Sequence, residues 1–472
     1  MVFSSSIFVF AFLPIVLAVY YAAQRKYQNG ILLLASLMFY AYGEPKFVFV
    51  MLASIVLNYL FALLLGRTEK KRSRLLVLWG AVVVNMGLLF VYKYLGLTQD
   101  ILNRLAGHER FTWAVPALPI GISFFTFQAL SYVIDVYYRH VPVQKNPFYV
   151  ALYISFFPQL IAGPIVRYNT IAEQIEHRAV TWEKFSDGVH RFILGFGKKV
   201  IIANNVAVIA REAFADPQQD SLLMLWLGAL AFTLQIFFDF GGYSDMAIGL
   251  GKMFGFTFEE NFNYPYISGS ITEFWRRWHM SLSQWFRDYV YIPLGGSRVG
   301  KVRNILNLFL VWLFTGIWHG ANYTFIVWGL LQFVVQLVEK VLIHPEKRRF
   351  FLLRGAWRLV TLLTIVLGWV IFNSASLSQA GAYIASMFGA GALSLADNQA
   401  LHLWREYGAY MVMGIAFSTP VAKVCGQKLQ ARFPARRTLL FNLRTAGELF
   451  IFLWAASFVL LGSYNPFIYF NF

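Results

Sequence analysis

Residues 305–331 read Ile-Leu-Asn-Leu-Phe-Leu-Val-Trp-Leu-Phe-Thr-Gly-Ile-Trp-His-Gly-Ala-Asn-Tyr-Thr-Phe-Ile-Val-Trp-Gly-Leu-Leu. Two apolar runs, Ile305–Phe314 and Tyr323–Leu331, enclose the polar segment at 315–322, and neither run carries Asp, Glu, Lys or Arg. Gly320 can end one helix and let another begin. The pattern predicts a hydrophobic hairpin or a broken helix with His319 held at the break. An ionisable side chain in such a setting is costly, so it marks a functional site by default. A neutral imidazole there could take a proton from an acceptor hydroxyl, which general-base acyl transfer requires. The plainer alternative is a histidine that only bridges helices by hydrogen bonds.

The rest of the chain has the same character. Of 472 residues, 58% are hydrophobic, 18% aromatic and only 13% charged. Soluble domains carry about 25% charged residues. The composition excludes a disordered chain, a collagen and a disulfide scaffold. It also argues against a soluble enzyme, which could not cover so much apolar area with so few charges. The single Cys425 excludes an intramolecular disulfide, and its place after the apolar run Met411–Val424 predicts a small buried hydrophobe. No Cys/His cluster has zinc spacing and no phosphate-cradling Gly fingerprint occurs, so no metal and no tightly bound cofactor is expected.

A membrane span needs about 20 mostly apolar residues. Candidates are Ile7–Ala23, Ile31–Tyr42, Phe47–Leu65, Leu75–Leu95, Leu118–Tyr138, Phe148–Val166 and Phe192–Ala210. They continue with Leu222–Phe238, Ile305–Trp318, Tyr323–Ile343, Val360–Phe372, Tyr410–Val424 and Leu449–Leu461. The predicted class is all-α: a polytopic membrane protein with roughly 11 to 14 membrane segments, some broken or re-entrant. With no internal repeat and no linker, residues 1–472 read as a single membrane domain. Arg25 and Lys26 follow the first apolar run rather than precede it, which predicts an uncleaved span, not a signal peptide.

Lys and Arg number 40 against 23 Asp and Glu, a net +17. In a soluble protein that would suggest nucleic acid; in a polytopic one it reports basic cytoplasmic loops. The basic residues gather at Arg67–Arg74, at Lys347, Arg348, Arg349, Arg354 and Arg358, and at Lys423, Lys428, Arg432, Arg436, Arg437 and Arg444. Placing all three clusters in the cytoplasm puts both termini outside.

Between about 166 and 303 the sequence mixes apolar stretches with polar residues, which at membrane depth are tolerated only when buried or lining a cavity. Asp239 and Asp245 flank Gly241–Gly242, which suggests a helix break with the carboxylates acting as caps or as partners for Lys252 or an Arg. Glu259, Glu260, Asn261 and Asn263 precede Pro265 and read as a polar loop. Ser270 with Glu273 forms a capping box, and Pro293 with Gly295–Gly296 ends the segment that starts there. Phe274, Trp278, Trp285 and Phe286 then form an aromatic stripe, as in an amphipathic helix lying on the membrane surface. His279 does not follow from that reading. Arg287–Asp288 reads as a structural ion pair. Gly163–Pro164 marks a helix end.

These residues are also where a family resemblance lies. Leu-Pro-Ile-Gly-Ile-Ser-Phe at 118–124, Leu-Ile-Ala-Gly-Pro at 160–164 and Phe-Asp-Phe-Gly-Gly-Tyr-Ser-Asp-Met-Ala-Ile-Gly at 238–249 belong to it. Glu-Phe-Trp-Arg-Arg-Trp-His at 273–279, Arg-Asp-Tyr at 287–289, Pro-Leu-Gly-Gly at 293–296 and Trp-His-Gly-Ala at 318–321 are its most specific parts. The chain resembles the membrane-bound O-acyltransferases, in the branch that O-acetylates bacterial polysaccharides of the alginate and peptidoglycan type. The likeness weakens past about Phe372.

The resemblance implies a ring of helices around a thinned centre, with a donor funnel from the cytoplasm and an acceptor funnel from outside. His319 matches the family's catalytic histidine, and His279 a second family position. Trp278, Trp318, Asn322, Arg287, Asp288 and Asp245 become candidates for substrate contact. Acetyl-CoA is the implied donor; its phosphates would suit Arg298, Lys301 and Arg303, although those three equally fit the charge bias of cytoplasmic loops. An extracytoplasmic acetyltransferase is the implied partner, a polysaccharide the acceptor, and the bacterial inner membrane the location; no nucleic acid is expected. Two other classes stay open at this point: a transporter of acyl or glycan carriers without bond chemistry, since broken helices and buried ionisable groups also mark transporters, and a scaffold for a polysaccharide synthase.

Overall fold

The computed structural model describes residues 1–216, 220–344, 351–391, 394–462 and 468. Among them every extended regular element is a helix. In chain order these are α1 (Phe8–Ala22), α2 (Arg25–Gly43), α3 (Val48–Arg67), α4 (Lys71–Ala106) and α5 (Ile122–Tyr138). Then come α6 (Pro147–Ser155), α7 (Phe157–Leu160), α8 (Tyr168–Glu176), α9 (Trp182–Ala215), α10 (Leu222–Met253), α11 (Ile271–Trp275) and α12 (Met280–Phe286). Last are α13 (Lys301–His319), α14 (Tyr323–Val338), α15 (Phe351–Asn373), α16 (Leu377–Met387), α17 (Asn398–Phe417), α18 (Val421–Arg432) and α19 (Arg437–Leu460). Among the described residues seven helices are long and apolar enough to cross a membrane, or up to 8 if the bent pair α17–α18 is one span. The chain is a multi-pass membrane protein.

Contacts divide the chain into two compact units, Met1–Phe192 with Met246–Glu259, and Ile193–Asp245 with Glu260–Phe472. In the first, Phe3, Phe8, Phe39 and Phe157 pack as a buried aromatic cluster with centroids 4.8–6.4 Å apart. Asn58 and Asn85 exchange side-chain hydrogen bonds between α3 and α4, which satisfies two buried amides. Arg74 belongs to the first basic cluster, yet it is buried. It donates to the carbonyls of Leu65, Val136 and Tyr137, at the ends of α3 and α5, where a cation also complements the helix dipoles. Arg178 is likewise buried and donates to Tyr20, Asn29 and Phe254.

Several expectations change here. Phe148–Val166 is not one span: the chain breaks at Phe156, with Pro158 following, and α7 ends before Gly163–Pro164. Tyr410–Val424 is bent by 63° between α17 and α18, where Pro420 cannot continue the helix. Cys425 lies on α18 and is exposed, not buried. Lys347, Arg348 and Arg349 lie outside the described residues.

The largest correction concerns Asp239–Asp245. No break occurs there: α10 runs unbroken from Leu222 to Met253. The glycines serve close packing instead. A Cβ on Gly242 would lie 2.8 Å from the Gly195 carbonyl and 3.0 Å from the Lys199 amide; one on Gly249 would lie 2.6 Å from the Gly188 carbonyl. Small residues allow this approach of α9 and α10 backbones. The carboxylates then reach α9: Asp239 pairs with Lys199, both almost fully buried, and Asp245 pairs with Lys198 at 2.6 Å. Lys252 pairs with Asp187, not with Asp245.

Candidate active site

The second unit gathers both sequence-flagged histidines. α13 ends at His319, Gly320 is extended, and Asn322 caps α14 by accepting the Thr324 N–H at 3.2 Å. This is the expected hairpin. Glycines bring its arms together: a Cβ on Gly329 would lie 2.6 Å from the Trp312 carbonyl, and one on Gly316 2.5 Å from the Phe325 carbonyl. A Cβ on Gly320 would run into the Phe325 ring. His319 is 6% exposed and nests among rings, with centroids 5.0 Å from Trp318, 5.0 Å from Trp328 and 5.2 Å from Phe372.

The 268–296 segment is not a surface helix. Its capping box forms, with Ser270 Oγ accepting the Glu273 N–H at 3.0 Å and Glu273 accepting the Gly269 N–H at 2.8 Å. Glu339, at the end of α14, completes the cap. Its carboxylate accepts the N–H groups of Ile271 (2.6 Å) and Thr272 (2.9 Å), the Thr272 hydroxyl (2.8 Å) and the Trp357 indole (2.9 Å). But α11 lasts five residues, and the chain turns through Arg276–His279 before α12. Phe274, Trp275, Trp278, Trp285 and Phe286 are all buried. Tertiary packing has overridden the amphipathic reading: Trp369 covers Trp278, and Trp312 and Trp328 cover the neighbouring Trp275. Trp275 also donates its indole N–H to Gln332 at 3.1 Å.

His279 sits at the turn, 1% exposed, with φ 43° and ψ 53°. Its ring meets Phe240 edge-on at 4.6 Å and Trp318 at 6.1 Å. Trp318 therefore touches both histidines. Burial pushes the His279 imidazole down to about 3, so the ring is neutral at physiological pH. His279 belongs to a turn between two short helices, outside the candidate spans.

The other sequence-flagged residues are dispersed. Trp278 lies in the buried aromatic layer, 4.9 Å from Trp369. Asn322 acts as a cap and donates to the Ala375 carbonyl at 2.9 Å. Arg287 and Asp288 pair with each other at 2.7 Å on a π-helical turn, the arginine largely exposed. Asp245 is held by Lys198. Arg298, Lys301 and Arg303 are exposed at the start of α13. Among the described residues no group of three or more His, Cys, Asp or Glu could hold a metal ion. Sequence reasoning missed Trp328, Trp369, Phe372 and Glu339, which carry no local mark. It placed Asn261 in a polar loop but not beside His279.

Residues 137–378 match the model of the membrane-bound O-acyltransferase family. The chain is 41% identical to the "Probable alginate O-acetylase" of Pseudomonas putida over 494 aligned positions, covering 100% of both chains. It is 46% identical to the protein of that name from Pseudomonas syringae pv. tomato, over 84% of this chain and 77% of that one. It is 33% identical to the peptidoglycan O-acetyltransferase of Helicobacter pylori, over 100% of this chain and 98% of that one. The chain belongs to the membrane-bound O-acyltransferase family. This O-acyltransferase carries both His319 and His279 within the family-matched region. Of the classes left open by the sequence, bond-forming acyl transfer is the one that family and relatives carry.

Proposed function

We propose that this O-acyltransferase takes acetyl groups from cytoplasmic acetyl-CoA and delivers them across the bacterial inner membrane for O-acetylation of an exported or cell-wall polysaccharide of the alginate type. The observation that carries this reading is the paired setting of the histidines: His319 at the α13–α14 turn and His279 at the α11–α12 turn, with Trp318 against both rings. The names of the relatives support the acetyl group and the polysaccharide.

In this mechanism His319 acts as general base. It takes the proton of an acceptor hydroxyl while the hydroxyl oxygen attacks the thioester carbonyl; CoA leaves as the thiolate and recovers a proton. The aromatic nest keeps water from competing as acceptor. His279 holds or polarises a reactant. Trp278, Trp318 and Asn322 line or support the site; Arg287 and Asp288, on the exposed turn, and Asp245 lie further out in the same proposal. Arg298, Lys301 and Arg303 would meet the CoA phosphates by charge. The final acetyl transfer to polymer would employ an extracytoplasmic acetyltransferase partner. Residues 1–472 would serve this as one membrane domain.

The test is purified protein in vesicles with acetyl-labelled acetyl-CoA and a hydroxyl-bearing alginate-type oligosaccharide as acceptor. CoA release by the wild type and its loss in His319→Ala at equal expression and folding is the expected result. Turnover that survives His319→Ala would reject the mechanism; movement of label with the thioester intact would reject the reaction.

A further inference from the structure

Asn261 is fully buried, and its side-chain oxygen is a meeting point for three donors. Ser281 gives its backbone N–H at 3.2 Å and its hydroxyl at 2.9 Å. A backbone N–H can only donate, so the amide must present oxygen, not nitrogen, to it. That settles the orientation of the Asn261 amide on chemical grounds. The third contact is His279 Nδ1, 3.2 Å from the same oxygen. An oxygen that only accepts requires Nδ1 to carry the proton. In a neutral imidazole the other nitrogen, Nε2, is then a bare acceptor. Nε2 is buried and has no hydrogen-bond partner among the described residues.

The backbone is arranged to the same end. His279 adopts a left-handed conformation, uncommon for a residue with a side chain. The Asn261 carbonyl accepts the Met280 N–H at 2.9 Å, and the Arg277 carbonyl accepts the Asn263 N–H at 2.9 Å, so segment 261–263 splints the turn on both sides of His279. Such strain persists only where surrounding bonds over-determine it, and it clusters at functional sites.

We propose that Asn261 is a positioning residue for His279: it fixes the proton on Nδ1 and so makes Nε2 the working atom, which accepts a hydrogen bond from an N–H or O–H of a substrate. A bare acceptor among Phe240, Phe262 and Trp318 costs free energy unless a donor arrives. Two donors fit the chemistry: an amide N–H of the pantetheine arm of an acyl-CoA, and the hydroxyl of the acyl acceptor. This assignment rests on the proposed acyl-CoA reaction for its kinetic arms, but not for its spectroscopic one.

The spectroscopic arm uses the full chain labelled with 15N-histidine, the His279 signal being identified by its loss in His279→Gln. The wild type should show the Nδ1–H tautomer, and Asn261→Ala should lose that preference. An Nε2–H tautomer in the wild type would overturn the proposal whether or not acetyl-CoA is the donor. The kinetic arm compares side chains. A Gln oxygen reaches the place of Nε2, whereas an Asn reaches only that of Nδ1. His279→Gln should therefore keep at least tenfold more activity than His279→Asn. Asn261→Asp, which still accepts from Nδ1, should keep at least tenfold more than Asn261→Ala at equal folded yield. Equal activities within either pair would overturn the proposal. In His279→Asn, which removes the acceptor at the place of Nε2, a raised KM for acetyl-CoA with unchanged kcat assigns the donor amide; a lowered kcat at saturating donor assigns the acceptor hydroxyl. If neither parameter moves, Nε2 has no substrate contact and the proposal fails.

Discussion

Two glycine-punctuated stretches, 239–245 and 315–322, look alike as sequence and fold in opposite ways. Each sets polar residues and small residues inside apolar sequence. At 315–322 the helix stops, the chain turns at Gly320 and His319 is left among rings. At 239–245 the helix continues, and the glycines let α9 approach until two lysines meet two aspartates. The difference lies in what surrounds each site. An Asp on a continuous helix is tolerable because Lys198 and Lys199 lie across a close contact. The turn at His319 is held by its aromatic nest and by the cap at Asn322. A glycine in apolar sequence signals close approach as readily as it signals a stop.

His319→Ala should cost about 10²–10⁴-fold in acyl transfer with the fold intact, the range of a positioned acid–base group; thermal unfolding in detergent should be nearly unchanged. A large loss of folded yield instead would make His319 a structural residue. At the other stretch the effect should be on stability. Asp239→Ala takes the carboxylate from the buried Lys199 ammonium, which should cost about 3–5 kcal/mol. Asp239→Leu with Lys199→Met should recover most of it, and failure to recover would show that the pair is more than mutual compensation.

The adjacent glycines should then differ from each other. Gly242→Ala would press on the Gly195 carbonyl and the Lys199 amide and should destabilise by about 1–3 kcal/mol. Gly241→Ala meets only ring carbons at 3.7–3.9 Å and should be neutral or stabilising by up to ~1 kcal/mol. Equal effects would argue that the pair acts as a hinge after all. A further effect concerns pH. The folded His279 titrates at about 3 against an ordinary 6.5. The unfolded chain therefore binds the extra proton first, and this residue's contribution to stability declines as pH falls from about 6.5 toward 3. His279→Gln should flatten that part of the stability curve, measured as Tm against pH.

Much of the architecture is legible from local pattern. Apolar runs without charges yield helices at nearly the predicted places, and Ser270–Glu273 forms its capping box. What local pattern cannot supply is the partner across space. Nothing near Trp278 announces that Trp369 will cover it, so an aromatic stripe reads as a membrane-surface face when it is interior. Likewise Asn261 lies 18 residues before His279 and joins it only through the turn. His319 is visible because its signal is local: one imidazole in a short polar break between two apolar runs.

The Glu339 cap has a consequence for how the molecule is made. A five-residue helix holds too few internal bonds to persist alone. Helix α11 depends on a carboxylate 68 residues further along the chain. During synthesis from the N-terminus, the segment bearing His279 leaves the ribosome long before Glu339 does. Until the end of α14 has been delivered, that segment has only its local Ser270 cap and the 261–263 splint to hold it. The segment that carries His279 therefore gains its last support late in synthesis, after most of the chain before Glu339 has been made.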